Sequence, residues 1–359
     1  MSERVVVVGA GLAGLAFAIA ARRAGLDLEV RDERPSLGGG AALTIWPNAL
    51  AVLDALGLGD AVRDLGEPVA AGVIRRADGS LIRRIDPVAA VRALGEPARA
   101  VDRGELQALL AEHAGPVLLG AGVGDPSELD ADVVVGADGF RSVVARHLDP
   151  GLAERPAGYA AWRGVAPLPI DVTSAGLVWG RGAEAGLLPL RGGRTYWFAT
   201  RADGGDLEPQ AWPDPLPDLI AATPEATVLR HEMIDRDQPR RWHDDRHVVI
   251  GDAAHAMQPG LGQGGCLAIE DAVVLARLCA ERGPGRATFA EFERRRRPRV
   301  TAALRTARAS GRTLHGPCAR MAATVARRVP EPLALRFLAR FASRASGVRA
   351  LSVGAVDML

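Results

Sequence analysis

Apolar residues along this chain follow two rhythms, and the change between them divides it. Residues 4–8 (Arg4-Val5-Val6-Val7-Val8) form a β-branched run suited to a strand buried on both faces of a parallel sheet. Gly9 follows at once, Leu12 to Ala24 reads as an alanine-rich helix closed by Gly25, and Leu28-Glu29-Val30 is a second short strand. Strand, glycine turn, helix and strand make a βαβ unit. Asp132 to Gly136 and Arg246 to Ile250 repeat the buried-strand pattern.

Between these segments the rhythm shortens to alternation. Val73 to Ala77 and Ser80 to Ile85 flank Asp78-Gly79 and predict a hairpin. Tyr159 to Ala166, Gly176 to Arg181, Gly186 to Leu190 and Thr195 to Thr200 predict an antiparallel meander, with Gly192-Gly193 turning its last pair. Asp206 to Asp218 is proline-rich and acidic, hence a surface loop. Arg103 to His113, Cys266 to Glu281 and most of residues 287–359 read as helix. The expected class is α/β with an α+β insertion. A discontinuous Rossmann-like domain would comprise residues 1–70, 98–155 and 245–300, and an inserted antiparallel-sheet domain residues 71–97 and 156–244. Residues 301–359 would form a C-terminal helical segment.

Composition removes several function classes. All 44 basic residues are arginine. Without lysine there is no Schiff base and no Walker phosphate loop. A formal net charge of +1 gives no global attraction to nucleic acid. Cys266, Cys279 and Cys318 lack the spacing of a zinc site, and no metal is expected. No stretch reaches the length of a membrane span and no signal-peptide pattern opens the chain, which predicts a soluble cytoplasmic protein.

Gly9-Ala10-Gly11-Leu12-Ala13-Gly14 is a dinucleotide fingerprint in its proper setting, after a strand and at the opening of a helix. Gly9 permits the tight turn, Gly11 lets backbone approach a pyrophosphate, and Gly14 lets helix and strand pack. The helix N-terminus, with Ala13 in its first turn, offers free N–H groups to phosphate. Asp32 ends the second strand, where a carboxylate would meet a ribose; Glu33 competes for that role. Two further motifs follow. Val134-Val135-Gly136-Ala137-Asp138-Gly139-Phe140-Arg141-Ser142 is one. The other is Gly251-Asp252-Ala253-Ala254-His255, continuing through Pro259-Gly260-Leu261-Gly262-Gln263-Gly264-Gly265-Cys266 to Glu270-Asp271-Ala272.

With these motifs the chain resembles the single-component, p-hydroxybenzoate hydroxylase-like family of FAD-dependent monooxygenases. The resemblance runs over nearly the whole chain. It takes in Trp46-Pro47-Asn48-Ala49-Leu50, Arg103-Gly104-Glu105-Leu106, Ala161-Trp162-Arg163-Gly164 and Gly193-Arg194-Thr195-Tyr196-Trp197-Phe198. It implies that Gly9, Gly11 and Gly14 hold the FAD pyrophosphate and Asp32 the adenosine ribose, where the family usually has the longer Glu. Arg103 would reach the flavin or its phosphates, and the Val123 amide the adenine. Asp138 belongs to a motif tied to FAD and the nicotinamide donor, and Asp252 would bond the ribitol or pyrophosphate. The Pro259–Cys266 loop ends at a helix N-terminus, and the N–H groups of Gly265 and Cys266 would stabilise the anionic reduced flavin.

On the substrate side, relatives place a tyrosine where Tyr196 stands. It is a candidate for a proton or hydrogen-bond role, with a core tyrosine of the sheet as the alternative. Glu184 could act as a base or bind a cationic group; an exposed loop acid is the slightly favoured reading. His255 reads as a packed histidine, His231 as a surface one. Arg294 to Arg297 reads as a solvated charge run. Leu333, Leu335, Phe337, Leu338 and Phe341 could bury the C-terminal helices against both domains.

The chain departs from the family between His113 and Asp132, where a longer strand-and-hairpin region is cut to a short glycine-rich stretch, which bears on Val123. It also lacks an arginine often found just before Gly40, and so leaves NADH and NADPH undistinguished. The implied reaction takes electrons from NAD(P)H, passes through a flavin C4a-hydroperoxide formed with O₂, and hydroxylates a small aromatic or natural-product-like substrate. Epoxidation, Baeyer–Villiger oxidation and an FAD-linked reductase that inserts no oxygen are alternatives. Substrate and oligomeric state stay open.

Overall fold

In the computed structural model, residues 3–69, 72–202 and 204–351 are described. The β-branched runs assemble into one five-stranded sheet in the order His247–Val249, Val133–Gly136, Val5–Val8, Leu28–Asp32, Val117–Leu119, every pair parallel. Val7 lies between Val30 and Val135, and none of the three is more than 1% exposed. A strand covered on both faces can be apolar at every position, which is why these runs do not alternate. Helix Leu12–Arg23 packs against helix Gly264–Arg282.

The alternating segments build a seven-stranded sheet. Its order is Leu229–Arg236, Glu154–Ala166, Arg194–Arg201, Ala183–Leu190, Gly176–Trp179, Gly72–Arg76, Leu81–Ile85. The expected meander holds for its last three strands only. Glu154–Ala166 is displaced beyond Arg194–Arg201, and Gly176–Trp179 pairs in parallel with Gly72–Arg76 of the hairpin. Alternation determines which side chains share a face but not which strand lies next door. A third sheet, Ala42–Ile45, Ala98–Asp102 and Glu67–Val69, was not anticipated, because such short strands carry no readable period.

The seven-stranded sheet has two different faces. Trp162, Leu187 and Trp197 point to one side, where helix Leu216–Ala222 covers them with Leu216 and Leu219. That helix begins inside the segment expected to be loop. Tyr196 and Phe198 point to the other side, toward Ala41 and Ala100.

Helix Arg286–His315 starts the C-terminal helical region, followed by Ala319–Arg328, Glu331–Ala342 and Arg344–Leu351. The helical expectation for residues 352–359 falls outside the described residues. Two expectations about this region are corrected. Arg296 is not solvated: it is 2% exposed and reaches Asp271 at 2.6 Å and Glu270 at 2.8 Å. A four-residue run covers more than one full helix turn, so one member must face inward. Of the five apolar residues expected to bury, Leu335 and Phe341 do, whereas Leu333 and Phe337 are exposed. No helix among the described residues is long and apolar enough to cross a membrane.

Glu270 also accepts from Asn48 at 2.7 Å and Arg299 at 2.8 Å. Asp271 accepts from the Gly251 N–H at 3.1 Å and meets His255 Nε2 at 2.5 Å. Burial alone would raise both carboxyl pKa values, but the cations around them outweigh it and hold both low. Removing one partner of such a cluster strands a buried charge. Arg296→Met is therefore expected to cost about 3–5 kcal/mol, read as a lower urea midpoint.

Candidate functional site

The carboxyl ends of the parallel strands meet at one edge, the usual ligand position in an open α/β sheet. Val8 runs into the glycine turn, Asp32 ends its strand, Gly136 leads to Asp138, and Val249 leads through Ile250 and Gly251 to Asp252. Gly14 lies so close to that turn that a Cβ on it would sit 1.9 Å from the Gly9 carbonyl oxygen. A Cβ on Gly11 would meet nothing within 4 Å, so the turn is open on that side. Helix Leu12–Arg23 has no side-chain cap, and Gly11, Leu12, Ala13 and Gly14 form its opening turn. Its free N–H groups suit a pyrophosphate.

Asp32 is 6% exposed and already engaged. Its carboxylate accepts from the Ala10 N–H at 2.7 Å, the Arg34 N–H at 2.9 Å and the Arg34 guanidinium at 2.8 and 2.9 Å. Burial opposes its ionisation, but the Arg34 bonds prevail and its pKa is lowered. Four donors fill the lone-pair sites of a carboxylate, so a ribose hydroxyl here has to displace Arg34. Beside Asp32, Gly120 and Ala121 bond back to the strand end, and half-buried Val123 follows in the same loop. The shortened segment thus still returns to the strand end at Asp32.

At the other end, Gly251 lets the chain turn between Ala13 and Ala268, and Asp252 opens a short helix. Pro259–Leu261 is a 3₁₀ turn, Gly262 is left-handed (φ +60°), and Gln263 precedes helix Gly264–Arg282. A side chain on Gly262 would be strained in that conformation and would press on Trp46, 3.0 Å away. This helix, too, lacks a side-chain cap, leaving the N–H groups of Gly264, Gly265 and Cys266 for an anion. The Cys266 thiol turns inward, accepting from the Trp46 N–H at 3.4 Å, and burial pushes its pKa up to about 12. Arg103 opens helix Arg103–Ala114 and packs across Gly40. Burial lowers its pKa, aided by nearby Arg34 and Arg163 and opposed by Asp252. Asp138 instead serves helix Val143–Leu148, accepting from the Ser142 hydroxyl at 2.6 Å and the Val143 N–H at 2.7 Å.

Register in the seven-stranded sheet gathers the substrate-side candidates. Val165 opposes Tyr196, Arg163 opposes Phe198, and Glu184 opposes Thr200, so all six share one face. Tyr196 is 8% exposed, and its pKa is raised by burial against the pull of Arg163. Its hydroxyl has no hydrogen-bond partner among the described residues. Glu184 is not the exposed loop acid slightly favoured from sequence. It is buried, accepts from Trp179 Nε1 at 3.2 Å, and sits beside Thr200, whose hydroxyl contacts His315 Nε2 at 2.8 Å. Burial pushes its pKa up to about 7. His255 packs inward as expected, and His231 is exposed.

Three arginines were given no role from sequence. Arg163 lies on the Tyr196 face, placed there by the pairing of Glu154–Ala166 with Arg194–Arg201. Arg236 is buried, bonding the Asp252 and Ala253 carbonyls at 2.5 Å. Nothing in sequence links it to Asp252. Arg34 stands only two residues beyond Asp32, so this pairing is local.

A family described as "FAD binding domain" matches residues 84–307, and one described as "NAD(P)-binding Rossmann-like domain" matches residues 7–45. Aurachin C monooxygenase/isomerase of Stigmatella aurantiaca is 35% identical over 322 residues, spanning 80% of this chain and 84% of that protein. 3-Amino-4-hydroxybenzoate 2-monooxygenase of Streptomyces cremeus is 34% identical over 355 residues, 88% of each chain. The crystal structure of Klebsiella pneumoniae HpxO with FAD and uric acid superposes with a TM-score of 0.86 at 25% identity, covering 98% of both chains.

A glutamate whose folded pKa lies near 7 rather than 4.5 keeps its proton longer in the native state. Its stabilising contribution is complete below pH 4.5 and is lost as pH rises through 7. Glu184→Gln is expected to flatten that part of the stability–pH curve. The wild type should lose on the order of 3 kcal/mol across the window relative to the variant, measured by denaturation at each pH.

Proposed function

This chain belongs to the family of FAD-dependent monooxygenases, and on that premise we propose that its substrate is a flat, electron-rich aromatic ring bearing an acidic hydroxyl, held against the Arg163–Tyr196 face of the seven-stranded sheet. The observation that carries this reading is that face itself. One cation and one unpartnered phenol stand among Val165, Leu188 and Phe198, and the face turns toward Ala41 and Ala100 of the nucleotide-binding part. The aminohydroxybenzoate named for one relative is of this chemical kind, and the uric acid named for the other is a flat, acidic heterocycle.

Bound FAD would supply the redox chemistry that takes electrons from NAD(P)H to O₂, one oxygen atom entering the substrate and the other leaving as water. The chain's part is to bind, orient and balance charge. The Gly9–Gly14 turn and the Leu12 helix would hold the pyrophosphate, with Ala13 in the first turn. Asp32 would take the adenosine ribose once Arg34 swings away, with Val123 beside the adenine. Arg103 and Asp252 would hold the middle of the cofactor. The segment Pro259, Gly262, Gln263, Gly264, Gly265 and Cys266 would lie along the flavin, where an uncapped helix N-terminus stabilises negative charge. Asp138 would act at second hand, by fixing the turn that follows its strand. Arg163 would pair with the substrate's ionised oxygen, Tyr196 would donate to it, and Glu184 would stand further along the same face. The substrate unit is assigned to residues 71–97 and 156–244.

The test is NAD(P)H consumption and ¹⁸O₂ incorporation with a panel of hydroxylated aromatic acids and heterocycles. Labelled hydroxylated product is expected; substrate-independent oxidase activity across the panel would sink the substrate reading. Arg163→Met should raise KM for ionised substrates about tenfold or more, as a charge-assisted bond is lost. FAD content and KM for neutral analogues should stay put. Equal losses for both kinds would remove Arg163 from the substrate site.

A further inference from the structure

Charge is distributed unevenly in this chain. Between residues 301 and 351 there are ten arginines and a single acid, Glu331, although the whole chain carries only +1. Several of these arginines have inward duties. Arg308 pairs with Asp235, and Arg344 with Asp54 and Glu96. Arg327, Arg328 and Arg336 are exposed and form no ion pair with a described residue. The same helices display the apolar side chains that fail to bury: Met321 and Val325 on Ala319–Arg328, Leu333 and Phe337 on Glu331–Ala342, and Val348 on Arg344–Leu351, each more than half exposed.

The first two pairs are spaced i, i+4, so each forms one stripe along its helix. The elements beneath extend the pattern. Helix Ala319–Arg328 packs on strand Leu81–Ile85 and helix Glu331–Ala342 on helix Pro87–Leu94, which expose Leu81 and Val88. Seven of the eleven large apolar side chains exposed among the described residues lie on these five elements, which is concentration rather than scatter. Leu333 and Phe337 line one shallow groove with Arg336, Arg340 and Arg349. The surface is tied to the body, since Arg83 donates to the Ala326 and Val329 carbonyls.

We propose that these C-terminal helices dock the protein flat on an anionic phospholipid bilayer, Met321, Val325, Leu333 and Phe337 entering the headgroup region while Arg327, Arg328 and Arg336 meet the phosphates. The helices are too short and too charged to span, but an apolar stripe flanked by arginines is what an interfacial helix requires. A second copy of this chain fits poorly, because pairing would bring two strongly cationic surfaces together.

The experiment is sedimentation of the FAD-loaded full chain with vesicles of phosphatidylglycerol and phosphatidylcholine, against phosphatidylcholine alone. Binding to the anionic vesicles only, weakening as salt rises, is expected. Arg327→Gln, Arg328→Gln and Arg336→Gln should lower the partition about fivefold each. Leu333→Ser with Phe337→Ser should lower it about tenfold or more even at low salt. Flavin absorbance and turnover in solution should be unchanged in all of them. Three outcomes would overturn the proposal: no preference for anionic vesicles, variants that bind like the wild type, or a dimer in solution that Phe337→Ser dissolves.

Discussion

The nucleotide-binding edge depends on the buried charges of one helix. Glu270 and Asp271 sit at 0% exposure in helix Gly264–Arg282, and between them they hold Asn48, Gly251, His255, Arg296 and Arg299. Those partners come from three other stretches of chain: helix Pro47–Ala55, residues 251–255 and the long helix Arg286–His315. Two carboxylates in an apolar interior would not stay ionised alone; two guanidiniums and a histidine make it possible. In return, the uncapped N-terminus of that helix and the Asp252 turn are held in one frame. Asn48 completes the link by meeting Gln263 at 3.2 Å, the residue just before the helix begins.

A second constraint is the two-sidedness of the seven-stranded sheet. Its Trp197 side is closed by helix Leu216–Ala222, so only the Tyr196 side is left to face a ligand. Alternation then decides which residues can take part in chemistry. Arg163, Glu184 and Tyr196 qualify because of their phase along three adjacent strands. Trp162 and Trp197, one step out of phase, become core. Arg103, in the field of both Arg163 and Asp252, is where this face and the nucleotide edge come together.

Local chemistry made much of this legible in the amino-acid sequence. The strand, glycine turn and helix of the fingerprint, the Asp252 turn and the glycine-rich loop before Cys266 are all set by neighbours a few residues apart. Left-handed φ is a short-range requirement, and glycine is its direct record. The same holds for the shared face of Tyr196 and Phe198, since strand alternation is intrinsic. Family resemblance added FAD and oxygen chemistry, which residue patterns alone left undetermined between dinucleotides.

What the sequence could not determine is the set of facts that depend on pairing between distant segments. The displacement of Glu154–Ala166 in the sheet, the burial of Glu184 and the inward turn of Arg296 are of this kind. An isolated carboxylate or guanidinium reads as solvated because water is its best partner in the absence of any other. Only the folded chain brings partners from dozens to hundreds of residues away and removes the water, and that exchange decides whether a charge is surface, structure or site. In the C-terminal helices the same reasoning runs in reverse. Leu333 and Phe337 look like core residues in the sequence, yet tertiary packing among the described residues leaves each more than half exposed.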